Sequence, residues 1–550
     1  MRLDLQFRPV FAIGRTGVLT AVLFASGMPL SAYGQPPAQQ PPAAPGLPAV
    51  QQPAPSPVAN GTPVSIDDAV RMALENNLGI QAERLNPQIQ TYGVARARGA
   101  FAPALFSAVS RSNSTTPPTD FLSSGGSAVV TSGNFVTQAG VQQAVPIAGT
   151  SYQVSWDGSR ATSDAPRTVF SPQLGSHLNF QATQPLLRNF KIDSLREQLL
   201  LSRNQQQVAD LQLQQRITQT SRGVRAAYYN LVGAIAGLEV AQQSLDLSRE
   251  SLKNNQTRVE VGTMAPIDIV AAEAEVASNE EAVIIQQAAI QSAEDQLRAL
   301  VMNPSQPGFW TTIFNPTDQA MLAPHVIDVD AAIKNALANR TDLLQARKQL
   351  EATDVSVKFA QNQKLPGIDL QARYGLTGVG GTQYSYDNAA IAGGAAPIPT
   401  GSTVRPFADV LRDVFGNNFK TWSFAVNVSY PLGTSQADAL YAQAKVQRQQ
   451  QQTGLQNLEM QVATSVREAA RQVNTNLKRV EATRKARELA EKRLEAEQKR
   501  FTVGLSTTFE LFQAQRDLAR ARQSELNATI DYNRSLVDFE AVQTSPLGGQ

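Results

Sequence analysis

The sequence predicts a mixed α/β membrane protein, internally duplicated, in which a long antiparallel α-helical coiled coil adjoins a β-barrel shared between chains. Three observations predict it. A turn motif occurs twice at a constant offset, apolar residues recur every seven positions over very long stretches, and alternating runs of about ten residues precede each long helix.

The repeat sets the architecture. Arg258 to Val276 reads RVEVGTMAPIDIVAAEAEV, and Arg500 to Leu518 reads RFTVGLSTTFELFQAQRDL. Arg258 matches Arg500, Val261 matches Val503, Gly262 matches Gly504, Asp268 matches Glu510 and Ala272 matches Ala514, always 242 residues apart. A second match opens each half: SIDDAVRMALENN from Ser65 and DVDAAIKNALANR from Asp328. The unit is half the protein, so this is a duplicated fold and not a short-period solenoid.

The helices follow from periodicity. No proline occurs from Lys191 to Val261, and Ile217, Val224, Leu231, Leu238, Leu245, Leu252 and Val259 fall in strict steps of seven. Small residues sit three positions later, at Thr220, Ala227, Ala234, Ala241 and Ser248, the pattern of a coiled-coil seam with close backbone approach. About 70 residues at 1.5 Å each give a rod of about 105 Å. In the second half Val466, Val473, Val480, Leu494 and Phe501 repeat the row, with Arg487 interrupting where Leu245 stood. After each glycine a return row follows: Ile269, Val276, Val283, Ile290 and Leu297, then Leu511, Leu518, Tyr532 and Phe539 with Glu525 interrupting. Each half therefore predicts a helix, a sharp turn at Gly262 or Gly504, and a second helix running back. Asp268 and Glu510 fall in the first turn of the return helix, where a carboxylate suits the positive end of the dipole.

Before each long helix the period changes to two. The first half offers ALFSAVS (from Ala104), NFVTQAGVQ (from Asn134), TSYQVSWDGS (from Thr150) and SHLNFQATQPL (from Ser176); the second offers GIDLQARYGL (from Gly367) and WSFAVNVSYPL (from Trp422). Such weakly alternating runs between Gly/Ser-rich loops are the signature of an outer-membrane barrel. One chain holds too few of them to close a barrel, and an open sheet edge cannot face lipid. Several chains must then share one wall, and the long helical seams also require neighbours.

Composition excludes several classes. Net charge is +2 in 550 residues, without the basic excess of a nucleic-acid-binding protein. There is no cysteine, hence no disulfide, thiolate metal site or cysteine nucleophile, and His177 and His325 are the only histidines. Both read as structural. No Walker A, GxSxG or HExxH motif occurs, so neither an enzyme nor a bound cofactor is expected. Ser65 and Asp68 read as an N-cap and its N3 partner, not as chemistry. Arg2, Arg8 and Arg15 precede an apolar run from Gly17 to Leu30 and then Ala32-Tyr33-Gly34, the pattern of a secretory signal. Domains are expected at 1–34 (signal), 35–63 (Pro-rich disordered tether), 64–300 (first repeat), 301–327 (connection), 328–540 (second repeat) and 541–550 (tail).

With these residues in place, the chain resembles the TolC-like outer-membrane efflux channel family from about Val64 to Leu536. The two RxxVG turns, ALANRTDL from Ala336, QPLL from Gln184 and YPLG from Tyr430 carry the resemblance. It implies a homotrimer with a shared β-barrel in outer-membrane lipid and a helical tunnel crossing the periplasm. It implies a passive duct working with a periplasmic adaptor (membrane fusion protein) and an inner-membrane pump. It also implies that the hairpin tips dock the adaptor, here through Arg258, Val261, Gly262, Thr263, Arg500, Val503, Gly504 and Leu505. The periplasmic gate would involve Asp268, Phe501, Ser506 and Glu510. Ser506 stands where the family's latch has an arginine, and Phe501 stands at a tyrosine position. The family usually places two strands in each half, whereas the first half here offers four runs. The competing class is a periplasmic coiled-coil scaffold or adaptor without a conducting barrel. A scaffold has no use for two sets of strands, and an adaptor has one hairpin and a lipoyl-like domain.

Overall fold

A computed structural model describes residues 61–117, 129–165, 168–318, 327–386, 399–433 and 435–547. The secretory signal, the tether up to residue 60 and His325 lie outside the described residues. The end of the tether is structured: β1 (Thr62–Val64) pairs in parallel with β6 (Phe314–Pro316), part of the connection between the halves. Tyr228, fully buried, holds this pair to the helices, donating to the Val64 carbonyl at 3.0 Å and accepting from the Asp318 amide at 3.0 Å.

Each half opens on two helices broken at one residue. In the first, Ser65 caps α1 (Ile66–Asn76), accepting from the Asp68 amide at 3.1 Å. Asn77 then caps α2 (Leu78–Gly99) and donates to the Leu300 carbonyl at 3.0 Å. In the second, α5 (Val329–Asn339) and α6 (Thr341–Gln363) meet at Arg340. Its buried guanidinium reaches Asp342 at 3.0 Å and Ser465 at 2.8 Å, so the arginine of ALANRTDL is a structural joint.

The long helices are α3 (Ser194–Glu260) and α8 (Gln436–Thr502), 67 residues each. The return helices are α4 (Ile267–Val301) and α9 (Thr508–Val542), 35 residues each. The bounds of α3 shifted by 242 are the bounds of α8. Asp193 starts α3 as N-cap, and Ser435 with Asp438 forms a capping box on α8. Near the strands the helices pack in the order α2, α3, α6, α8; near the turns the order is α4, α3, α9, α8. The heptad rows are the seams: Val224 and Leu231 are buried in one core cluster, and Val466, Val473, Val480 and Tyr532 in another.

The two interruptions of the second-half rows are partners. The Arg487 guanidinium is hydrogen-bonded to Glu525 across the α8–α9 seam and to Glu491 at 2.9 Å, with Arg522 closing the network 3.4 Å from Glu491. Bonds to Glu491 and then to Glu525 raise the already high pKa of Arg487. The first hairpin has Leu245 and Val283 at the matched positions. One seam thus exchanges an apolar pair for an ion pair in the same place.

The strands form one antiparallel sheet: β2 (Ala104–Thr116), β3 (Val130–Ala144), β4 (Ser151–Ser163), β5 (Phe170–Pro185) and β7 (Gly367–Tyr386) follow in order. Beyond β7 the last position is split. β8 (Pro399–Arg405) pairs with its outer half and β9 (Lys420–Ser429) with its inner half. Between them α7 (Phe407–Phe415) leaves the sheet plane and rests Val410 on Gly378 and Gly380, where any Cβ would collide with it. Sequence periodicity finds every long strand and misses β8 and α7, because seven and nine residues carry too little pattern.

The ion-pair seam is testable by denaturation. Glu525→Val alone should cost about 1–2 kcal/mol, since both groups are about a quarter exposed. Adding Arg487→Leu, which recreates the residue types of the first hairpin, should recover most of that loss. A double variant less stable than the single one refutes the exchange.

Candidate functional site: the helical tips and the two-faced sheet

The two turns are built alike. At the end of α3 the Gly262 amide donates to Val259 O at 2.9 Å, and the Thr263 amide to Arg258 O at 2.8 Å. At the end of α8 the Gly504 amide donates to Phe501 O at 3.3 Å, and the Leu505 amide to Arg500 O at 2.9 Å. This paired pattern is a Schellman cap, and it requires the left-handed backbone seen at Gly262 (φ +78°) and Gly504 (φ +76°). Open space surrounds both glycines. Conformation and not crowding therefore demands glycine there.

Around these caps the chain exposes apolar side chains. Val261, Val503 and Leu505 are all exposed. Ile267 and Phe509, each just before the matched carboxylate, are exposed by 71% and 69%, and were not singled out from sequence. Their 242-residue spacing was the available signal. Thr263 is exposed and returns its hydroxyl to Arg258 O at 3.0 Å.

The structure separates the other named residues by role. Phe501 is buried in a small tip core with Leu494, Leu511, Ala514 and Leu518, and Met264 packs against it. Arg258 lies over the Phe501 ring, 4.6 Å from its centroid, and donates to the Phe501 carbonyl at 3.2 Å. It is therefore a clamp between the two hairpins of one copy. Arg500, its match, is two-thirds exposed and lies 3.7 Å from Glu497.

Ser506, in the place of the family's arginine, hydrogen-bonds Glu497 and lies 3.0 Å from Glu510. The Glu510 amide is capped by Thr507 at 3.3 Å. Asp268 is half-buried in the first turn of α4, and among the described residues no cation lies within 4.0 Å of it. Among the described residues, neither Asp268 nor Glu510 has a cation within 4.0 Å. Among the described residues, no group of three or more His, Asp or Glu is placed to hold a metal ion.

At the other end the sheet has two chemically distinct faces. Opposed residues in antiparallel strands point the same way, so the register sorts them. One face carries Leu105, Val109, Phe135, Val141, Val154, Trp156, Leu178, Phe180, Leu370, Tyr374, Phe424 and Val426. The opposite face carries Gln138, Gln153, Asp157, His177, Gln181, Arg373 and Asn427. His177 sits among these, 3.2 Å from the Thr377 hydroxyl. From Ile368 to Leu376 the apolar face runs eight residue steps, about 27 Å along the strand, or about 20 Å once tilted by about 40°. The apolar band of outer-membrane barrels is about 25 Å tall.

One copy thus joins a sheet, apolar on one face and polar on the other, to two long helical hairpins. The family model described as outer membrane efflux protein matches residues 136–301 and 332–542, and the chain belongs to that family. Outer membrane protein TolC of Escherichia coli (strain K12) is 26% identical over 313 residues, 56% of this chain and 57% of that protein. The chain thus aligns with somewhat over half the length of that curated relative. Among solved structures, the outer-membrane channel OprN superposes with TM-score 0.62 at 16% identity, covering 88% of this chain and 90% of its own. The Campylobacter jejuni CmeC outer membrane channel gives 0.59 at 14% identity, covering 87% and 85%. At such identities these structures establish the fold, which is TolC-like.

The caps make a direct prediction. Gly262→Val and Gly504→Val should each cost about 1–2 kcal/mol locally, from the left-handed backbone alone. Amide hydrogen exchange should rise at the altered tip and stay unchanged in the sheet. Asparagine, which tolerates this conformation, should change it less. Equal exchange in the glycine, asparagine and valine forms contradicts the strain account.

Proposed function

We propose that the protein is the outer-membrane channel of a tripartite efflux or secretion system: a passive trimeric duct whose strands share one barrel and whose helices form a periplasmic tunnel. The observation that carries this is the two-faced sheet with two unpaired edges. Among the described residues, β2 and β9 each lack a partner on one side within a single copy. In hydrocarbon every backbone polar group must be paired, so a lipid-embedded sheet has to close. β2 runs away from the helices and β9 runs back, which lets β9 of one copy meet β2 of the next in antiparallel pairing. The helical layer has the same need. Leu85, Ile89 and Tyr92 form an exposed stripe on α2, Ile284 and Ile285 are exposed on α4, and Val446, Met460 and Leu489 on α8. These two edges are the natural contact between copies.

The exposed apolar tips support docking of a periplasmic adaptor, through which an inner-membrane pump supplies the energy. The polar inner face supports passage of hydrated cargo. The apolar face of the sheet favours this reading over a periplasmic scaffold, for which twelve large apolar residues on one exposed face have no use.

Native mass spectrometry of the detergent-purified protein should give three copies. A stable monomer or dimer contradicts barrel sharing. The carboxylates give an independent test. If Asp268 and Glu510 of three copies approach the axis, six negative charges line the entrance, attracting cations and repelling anions. Asp268→Asn with Glu510→Gln should then lower cation selectivity in planar bilayers and weaken block by multivalent cations. Unchanged selectivity places both residues off the pore.

A further inference from the structure

Two strands in each half would put four in the wall from each copy, twelve in a trimer. Among the described residues the sheet has six strand positions: β2, β3, β4, β5, β7, and the split β8/β9. We infer that the hairpin β3–β4 is part of the membrane wall, so that three copies close an 18-stranded barrel (six positions in each). The inference rests on the shared-barrel reading above and adds a size to it.

Four features place the hairpin in the wall and not in an outer loop. It lies in the interior of the sheet, between β2 and β5, so the wall is not continuous without it. Its ladders run the length of its neighbours: Ala104 to Thr116 against Gln142 to Val130, Ser132 to Ala144 against Ser163 to Ser151, and Ser151 to Ala161 against Thr183 to Gln173. Its alternation is in phase with the rest. Phe135, Val141, Val154 and Trp156 share the face of Phe180 and Tyr374, while Gln138 and Gln153 share the face of Gln181 and Arg373. A loop standing in water has no reason to segregate its side chains in register with a lipid-facing band.

The turn between β3 and β4 is the fourth feature. It lies at the helix end of the sheet, where the strands give way to α2 and α3. Gln184, at the end of β5, donates to the Ala148 carbonyl at 3.0 Å. Gln143 donates to the Phe101 carbonyl, just beyond α2, at 2.9 Å. The hairpin therefore crosses the full height of the band and returns.

Barrel diameter grows about linearly with strand number, so eighteen strands give a bore about 1.5 times that of twelve. Barrels of 16–18 strands leave an open aqueous channel. The size limit on cargo then falls on the helical tunnel and its tips, not on the exit through the membrane.

The chain has no cysteine, so single cysteines can be spin-labelled without background. Ala139→Cys, Val141→Cys and Val154→Cys test the apolar face of the hairpin, and Gln138→Cys, Gln142→Cys and Gln153→Cys the polar face. Leu370→Cys and Gln371→Cys on β7 serve as wall controls. In lipid vesicles the apolar-face labels should be accessible to oxygen and shielded from a nickel chelate, with the polar-face labels reversed. The hairpin and β7 should show the same two-residue period. Nickel access on both faces of β3 and β4, with β7 still alternating, places the hairpin outside the membrane and overturns the inference. Loss of alternation on β7 as well refutes the shared barrel itself. Electron cryomicroscopy of the assembled protein provides a second readout: six strands per copy in the wall are expected, and four overturn the inference.

Discussion

The constraint on which the rest of this structure depends is the pairing of backbone N–H and C=O groups. In water an open sheet edge is a liability; in hydrocarbon each unpaired group costs several kcal/mol. Among the described residues, one copy leaves β2 and β9 as open edges on a sheet whose apolar face bears Trp422, Phe424, Val426 and Val428 with most of their surface exposed. Hydrocarbon disfavours the open edges, and water disfavours that face. Both are resolved together if copies meet edge to edge, with the apolar face turned to lipid and the polar face to the lumen.

The helical layer repeats the problem in another medium. Heptad rows bury Val224, Leu231, Val466 and Val473 within one copy, yet stripes on α2, α4 and α8 remain uncovered. Sheet and helices thus point to the same neighbours. The Arg487–Glu525 pair shows how far a seam tolerates exchange. A partly buried ion pair with two further partners occupies a place that Leu245 and Val283 fill in the other hairpin. Such a pair adds little net stability over an apolar one. The second hairpin still buries its seam around it, from Val480 through Leu494 to Phe501.

The tips combine a rigid turn with an unsettled charge pattern. Two Schellman caps fix the backbone, and the Arg258–Phe501 contact ties one hairpin to the other. Arg258 and Phe501, to which the family resemblance gives docking and gating, meet across the two hairpins. The exposed apolar side chains beside them are Val261, Ile267, Val503, Leu505 and Phe509. Ser506 hydrogen-bonds the carboxylate beside it, which leaves Asp268 without a cation from that position.

The sequence by itself determined the elements with strong period: the long helices, their glycine turns, six long strands and the matched halves. Each rests on local rules, namely heptad spacing, alternation, and the need for φ > 0 at Gly262 and Gly504. It did not determine what depends on contacts between distant residues. That Arg487 answers Glu525, that Tyr228 anchors Val64, and that Arg258 clamps Phe501 are facts of packing between segments far apart in the chain. The fate of the extra hairpin belongs here too. Its alternation is legible as strand, but alternation is the same for a wall strand and a strand in a loop. Only the pairing register shows β3 and β4 seated between β2 and β5 with their apolar side chains in phase, because register is set by partners and not by the strand's own sequence.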